Sequence, residues 1–345
     1  MPLTSQELVR LVYELPKHPE RHDEIVETIR KRGLGFPLTD GMRSLVAAKS
    51  ASDPVLRRTL EEAERRRANP ATESLPAPSE GTEVLGRTKN VTLAAANAMP
   101  DFIVRQLIKR SRAYGSTSNW LQQDNLTIGV SYRQTVGEQY KVLAVNGVPP
   151  PEVKEGSEYD QSVPGGATST GEYVSGLASI FKDESRTTFK MVDTDVVRGH
   201  RTVVYEFEVQ KAYSQLVLKA DKNQIANVGQ RGRVWIDREQ DRVLRFEQIA
   251  TEIPADFPIR AASSLIDYDW VPINERPYLL PIHADILMTS LYQGTQTEQS
   301  RNDIRFRGYQ KFGAAVKVID EVDDTELPTE APSAPPIKPV KPPKR

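Results

Sequence analysis

Residues 232–254, GRVWIDREQDRVLRFEQIATEIP, carry the alternation that decides the fold. Val234 and Ile236 recur at every second position, Arg238-Glu239-Gln240-Asp241 supplies a polar reversal, and Leu244, Phe246 and Gln248 alternate on the return. That pattern predicts a β-hairpin. Because successive strand side chains point to opposite faces, such a ribbon offers one apolar face for burial.

Working outward, strand-like stretches follow one another from Thr187 to Phe312: TTFKMVD, RTVVYEFEVQ, SQLVLKA, RVWIDR, RVLRFEQIATEI, SLIDYDWV, YLLPIHADILMTS and NDIRFRGYQKF. Val203, Tyr205, Phe207 and Val209 share a face, as do Tyr278, Leu280, Ile282, Ala284, Ile286 and Met288. Upstream, Leu126, Ile128, Val130 and Tyr132 form a further strand, which turns through Thr135-Val136-Gly137-Glu138 into YKVLAVNG. Strands joined by short turns, with no helix between each pair, imply an antiparallel meander. About ten strands with two helices should curl into a barrel or half-barrel, the helices covering its concave side. The expected class is α+β.

The two helices of this region are assigned to MPDFIVRQLIKRSRAYG (residues 99–115) and to the segment after Ser169. In the first, Pro100 and Asp101 suit a first turn and Gly115 a stop. Helical spacing there sets a basic stripe of Arg105, Lys109 and Arg112 opposite Ile103, Leu107 and Ile108. In the second, Ser169 and Glu172 form a capping box before an apolar stripe of Tyr173, Leu177, Ile180 and Phe181. Between strand and second helix, residues 149–169 read as a long irregular loop.

Residues 1–68 predict a small helical domain of four short helices. Thr4 with Glu7 is a capping box, Pro19 precedes HDEIVETIRKR with Gly33 at its end, and Asp53-Pro54 opens VLRRTLEEAERRR. The text reads as an inexact twofold repeat: LTSQELVRLV then DEIVETIRKR resembles LTDGMRSLVA then DPVLRRTLEE. Residues 69–90, rich in Pro, Ser, Glu and Ala, read as a linker to the β domain of residues 91–320. Residues 321–345 turn acidic and then Pro/Lys-rich, ending PPIKPVKPPKR, which predicts a disordered tail.

With 46 Lys and Arg against 47 Asp and Glu, the net charge is −1, so no overall field recruits nucleic acid or anionic lipid. The absence of cysteine excludes disulfides and thiolate chemistry. There is no apolar run of spanning length, and MPLTSQELVRLVYELP lacks the pattern of a signal peptide; the chain as read is soluble and untargeted.

Catalytic hardware is sparse. Of four histidines, His18 and His22 sit at ligand-like spacing, but Pro19 lies between them and no third ligand is evident. His200 and His283 read as structural. The glycines of VPGGATSTGEYVSG lack the lysine of a phosphate-binding loop. Asp237, Glu247, Asp267 and Asp269 on strands offer the one route to an acid–base pair, and solvated strand faces are the plainer reading. The expectation is therefore no enzyme, no metal and no cofactor.

GRVWIDREQDRVLRFE with IPADFPI, LIDYDWV, YLLPIHADI and RNDIRFRGYQKF resembles uncharacterised envelope proteins of acidobacterial type, whose β domain is similar to the lipoprotein carriers of Lol type. The resemblance spans residues of about 90 to 318, and its most specific element is Trp235-Ile236-Asp237 followed by Val243-Leu244-Arg245. The helical segment resembles a module found beside such domains. The resemblance implies a half-barrel with helices in its mouth, a periplasmic or envelope location, and binding of an acyl chain, lipid or lipidated partner. On that reading, Val130, Tyr132, Tyr205, Phe207, Tyr278, Leu280 and Ile282 would line the ligand space, with Tyr173, Leu177 and Phe181 from the helix. The same side chains serve equally as ordinary core. The competing reading is a scaffold with a fully packed sheet, whose protein partners bind the helical domain or the Pro/Lys tail.

Overall fold

The computed structural model of the protein describes residues 1–50, 53–68, 75–115, 120–150, 168, 170–220, 224–292 and 296–313. Most of the long loop, Ser169 with its expected capping box, and the Pro/Lys tail lie outside the described residues.

Four helices open the chain: α1 (Ser5–Glu14), α2 (His22–Arg32), α3 (Asp40–Lys49) and α4 (Pro54–Ala68). Thr4 and Glu7 form the reciprocal capping box of α1. Thr39 caps α3 in the same way as Thr4, its side-chain oxygen accepting from Met42 N. Leu8, Val12, Ile25, Ile29, Leu56 and Leu60 belong to one apolar core shared by the helices.

A fifth helix, α5 (Pro78–Asn97), runs through much of the stretch expected as a linker. Pro78 stands in its first turn, where a missing N–H costs nothing. Its glycines disguise it, and one sits at a close approach: a Cβ on Gly81 would lie 2.7 Å from Met191 Sδ, so the flexible methionine would have to shift. The stretch 99–115 does not form the expected helix; it carries the strand β1 (Phe102–Tyr114). Phe102, Val104, Gln106, Ile108 and Arg110 are all buried at period two, with the polar Gln106 and Arg110 masking the alternation. The expected basic stripe is thus not helical: Arg105 and Lys109 share a strand face, and Arg112 follows beyond a register shift in the pairing with the next strand.

The remaining elements are β2 (Leu121–Arg133), β3 (Gly137–Val145), α6 (Val174–Ser179), β4 (Thr188–Val197), β5 (His200–Val209), β6 (Val217–Lys219), β7 (Ile225–Asn227), β8 (Gly229–Asp237), β9 (Val243–Thr251), β10 (Ile259–Ile273), β11 (Arg276–Tyr292) and β12 (Gln296–Lys311). Ten strands form one open, curved antiparallel sheet in the order β3-β2-β1-β12-β11-β10-β9-β8-β5-β4; β6 and β7 pair separately. The β8–β9 hairpin is centred on the expected reversal, with Val234 opposite Phe246. Gly232 is obligatory there, because a Cβ would fall 1.9 Å from the Glu247 carbonyl oxygen.

The sheet has an inner and an outer face. On the inner face, α5 and α6 pack through Val84, Leu85, Leu177 and Phe181 against Tyr205, Phe207, Val234, Phe246 and Tyr268. Burial of such side chains contributes roughly 1.5–3 kcal/mol apiece. The outer face between β4 and β11 receives α2 and α4.

Candidate functional site

Seven of the ten expected lining residues, Val130, Tyr173, Leu177, Phe181, Tyr205, Phe207 and Leu280, lie in the single buried cluster between the sheet and its inner helices. Tyr132 and Tyr278 pack on its margin, and Ile282 is half-buried where β10 and β11 slip register. Their rings meet one another and their neighbours. Phe102 stacks on Tyr132 with centroids 5.2 Å apart and touches Tyr173 at 5.3 Å; Phe181 stacks on Phe189 at 5.4 Å and Phe207 on Phe246 at 5.5 Å. The helices are also tied down by polar contacts, Tyr205 Oη donating to the Gly81 carbonyl at 2.7 Å and Tyr268 Oη to that of Glu172 at 3.1 Å. Burial drives the hydroxyls of Tyr173 and Tyr268 well above the ordinary phenol range, so both stay protonated.

A cleft of about 370 Å³ opens on the outer side of β1, β2, β3 and β12, away from α2 and α4. Its walls are Ile103, Leu143 and Phe312, and Gly129 and Gly308 leave it open where a side chain would fill it. Arg105, Lys141, Gln139 and Gln310 add polar side chains to the lining, which also includes Val104, Val130, Ser131 and Tyr140. Strand alternation explains the assignment. Val104, Val130 and Tyr140 face the inner core, so Ile103, Gly129 and Leu143 face the other way. Gly308 holds φ +67°, a backbone state suited to glycine, beside an irregularity in the pairing of β1 with β12. Of the ten expected residues, Val130 is the one that contributes to this lining. A glycine in mid-strand at 129 and another at 308 are the signals that sequence reasoning passed over.

Toward β4, the outer face is ionic. Glu206, Arg233 and Glu247 stand opposite one another on β5, β8 and β9. A second row runs Arg245, Asp267, His283, Arg305 across β9 to β12. Onto the first row and the carboxylates flanking it α4 lays one face: Arg57 meets Asp285 at 2.9 Å, Arg58 meets Glu247 at 3.0 Å, Glu62 pairs with Arg233, and Arg65 meets Asp195 at 2.8 Å. Arg30 of α2 reaches Glu206 at 2.7 Å. Positions 58, 62 and 65 share a helical face, while Leu56, Leu60 and Ala63 turn into the helical core.

These contacts shift protonation. Asp285 is buried, which alone would raise its pKa, but Arg301 and Arg57 hold it well below the usual carboxylate range. Burial likewise opposes ionisation of Asp267, and is outweighed by His283, Arg245 and Arg198. Burial alone would lower His283, but the carboxylates of Asp267 and Asp303 beside it push it up to about 9. Glu247 is raised by burial, against which Arg58 works only in part.

The other polar candidates are likewise engaged. Asp237 accepts from Glu239 N at 2.8 Å and lies 2.8 Å from His200 Nδ1; Asp269 faces Arg198 at 3.4 Å. His22 Nε2 lies 3.0 Å from Asp53, whose carboxylate caps α4 by accepting from Leu56 N. His18 lies 3.1 Å from Glu20. Among the described residues, no group of three or more metal-ligating side chains converges, and no helix is long and apolar enough to cross a membrane.

No family model and no curated protein matches the chain. Among solved structures, it is similar to a DUF1329 family protein from Desulfovibrio piger, at 9% identity and TM-score 0.34, over 69% of this chain and 97% of that one. It is also similar to MucB, solved in complex with MucA(peri), at 11% identity and TM-score 0.17, over 63% and 92% of the two chains.

Proposed function

We propose that this is a non-enzymatic binding protein of the cell envelope, which holds the acyl part of an anionic amphiphile, such as a lipid or a lipidated chain, in the outer cleft. The observation that carries the reading is the cleft itself: apolar walls from Ile103, Leu143 and Phe312, openings at two glycines, and the cation of Lys141 in the lining for a head group. Its volume lies within the range of small-molecule sites. Each methylene buried there would contribute about 0.8 kcal/mol. The aromatic inner face supports the same placement by its occupation, since α5 and α6 already fill the concavity where a carrier-type ligand would be sought. The envelope location rests on the strand sequences that resemble lipoprotein carriers, and the non-enzymatic reading on strand carboxylates that are each engaged by a cation or backbone donor.

The test is uptake of a fluorescent fatty acid by the full chain, with displacement by unlabelled ligand. Gly129→Trp should abolish uptake while leaving the far-ultraviolet circular dichroism unchanged, because the new ring would fill the cleft against the flexible end of Leu143. Phe207→Leu on the inner face should leave uptake intact. Uptake that survives Gly129→Trp and is lost in Phe207→Leu would move the ligand to the inner face; no uptake by the parent protein would sink carriage altogether. A scaffold reading is favoured by one specific feature, the outer edges of β3 and β4, which pair with no further strand among the described residues and to which an extended partner segment can add one.

A further inference from the structure

A second cavity, of about 230 Å³, lies where the helices meet the β4 side of the sheet. Arg30 and Lys31 of α2, Arg66 of α4, Lys190 of β4 and Arg233 of β8 line it, five cations against the three carboxylates of Glu27, Asp193 and Glu206. The carboxylates are already taken: Glu206 bridges Arg30 at 2.7 Å and Arg233 at 3.0 Å, Asp193 lies 2.7 Å from Arg66, and Glu27 is 3.4 Å from Lys31. Lys190 is exposed and has no ion-pair partner among the described residues.

The buried donors are what point to a ligand. Nε of Arg30, of Arg66 and of Arg233 are all buried, and none has a hydrogen-bond acceptor among the described residues. The Arg233 side chain is only 3% exposed, so bulk water does not serve it. A buried donor left unpaired costs roughly 1–3 kcal/mol, and all three belong to side chains that line this one cavity. Arg30 is also held below its ordinary pKa, first by burial and then by the positive charge of Arg233, a repulsion that Glu206 offsets in part.

We propose that this cavity binds a phosphate group. Guanidinium forks match phosphate and carboxylate oxygens alike. The donors come from three separate elements, α2, α4 and β8, and a tetrahedral anion presents oxygens to all three where a planar carboxylate serves one side. A phosphate here would bridge the helical segment to the sheet. This site is on a different part of the sheet from the acyl cleft and shares none of its residues.

Isothermal titration calorimetry on the full chain, in chloride buffer of constant ionic strength, tests the proposal with inorganic phosphate and with glycerol 3-phosphate. Saturable one-to-one binding of either anion is expected, and the tighter of the two identifies free phosphate or a phosphomonoester as the natural class. Lys190→Glu, at an exposed position, should weaken binding about tenfold through charge reversal at the cavity, whereas Lys182→Glu outside it should not. Arg66→Gln, provided it folds, should weaken binding comparably. Absence of saturable heat with both anions, or an affinity unchanged by Lys190→Glu, would overturn the assignment.

Discussion

On the inner face of β5, Phe207 stacks on Phe246 beneath α6; one residue along the same strand, Glu206 turns to the outer face and meets Arg30 and Arg233. Both side chains fasten helices to a sheet, but by different physics. The aromatic contact is non-directional and indifferent to pH, and its strength follows the apolar area removed from water. The ionic contact is directional, and each charge must recover by pairing what it loses in hydration. The inner helices are thus held chiefly by bulk, with a few polar ties, and the outer helices by a pattern of charges.

The largest expected effect tests the inner face. Phe207→Ala should lower the free energy of unfolding by about 3–5 kcal/mol, read from urea denaturation, through lost burial and the cavity left behind. A loss under about 1 kcal/mol would mean that the aromatic cluster is not the fastening it is described as.

The next tests the outer face and has a distinctive form. Arg58 lies 3.0 Å from Glu247, both side chains are almost wholly buried, yet none of the three guanidinium nitrogens has a well-aligned acceptor among the described residues. Arg58→Ala should cost about 3 kcal/mol, because it strands a buried carboxylate. The double variant Arg58→Met, Glu247→Leu should recover most of that loss or exceed the parent. A double variant as unstable as the single one would show that the pair itself, and not the stranded charge, matters.

A smaller effect separates the faces by pH. His283 titrates at about 9 when folded against 6.5 ordinarily, so the stability it contributes is complete below pH 6.5 and disappears as pH rises through 9. Thermal or urea melts should register a loss of about 1–2 kcal/mol across that interval, discounted for a ring nearly one-third exposed. His283→Gln should flatten the alkaline slope. Asp267 and Asp285, held low by their cations, act in the opposite direction: their contribution is present above about pH 4 and is lost on further acidification.

Much of the sheet was legible in the sequence, because apolar alternation in β5, β8, β9 and β11 is uninterrupted by charge on the inner face. It failed where buried groups were polar. Gln106 and Arg110 occupy inner positions of β1, and Arg110 pairs with Asp124 at 2.7 Å inside the structure, so hydropathy alone showed a helical stripe. It failed again at α5, whose glycines and prolines look like a linker until Met191 is placed against Gly81. The outer cleft was encoded by an absence of side chains at Gly129 and Gly308, which no periodicity reports. The ionic rows were present in plain text as RRTLEEAERRR and the strand carboxylates, but pairing a helix spacing to a strand spacing requires the tertiary arrangement.

Third from one edge of the sheet, β1 lies between β2 and β12, with Phe102 opposite Lys311. During synthesis the first strand therefore emerges long before its second neighbour exists. Until β12 arrives, the nascent chain holds two incomplete blocks, β1 to β3 and β4 to β11, each ending in an unsatisfied ladder of backbone groups. Such edges recruit wrong partners. A release of the chain before Gln296 would leave that gap permanent, so the sheet depends on β12 as a zip depends on its slider.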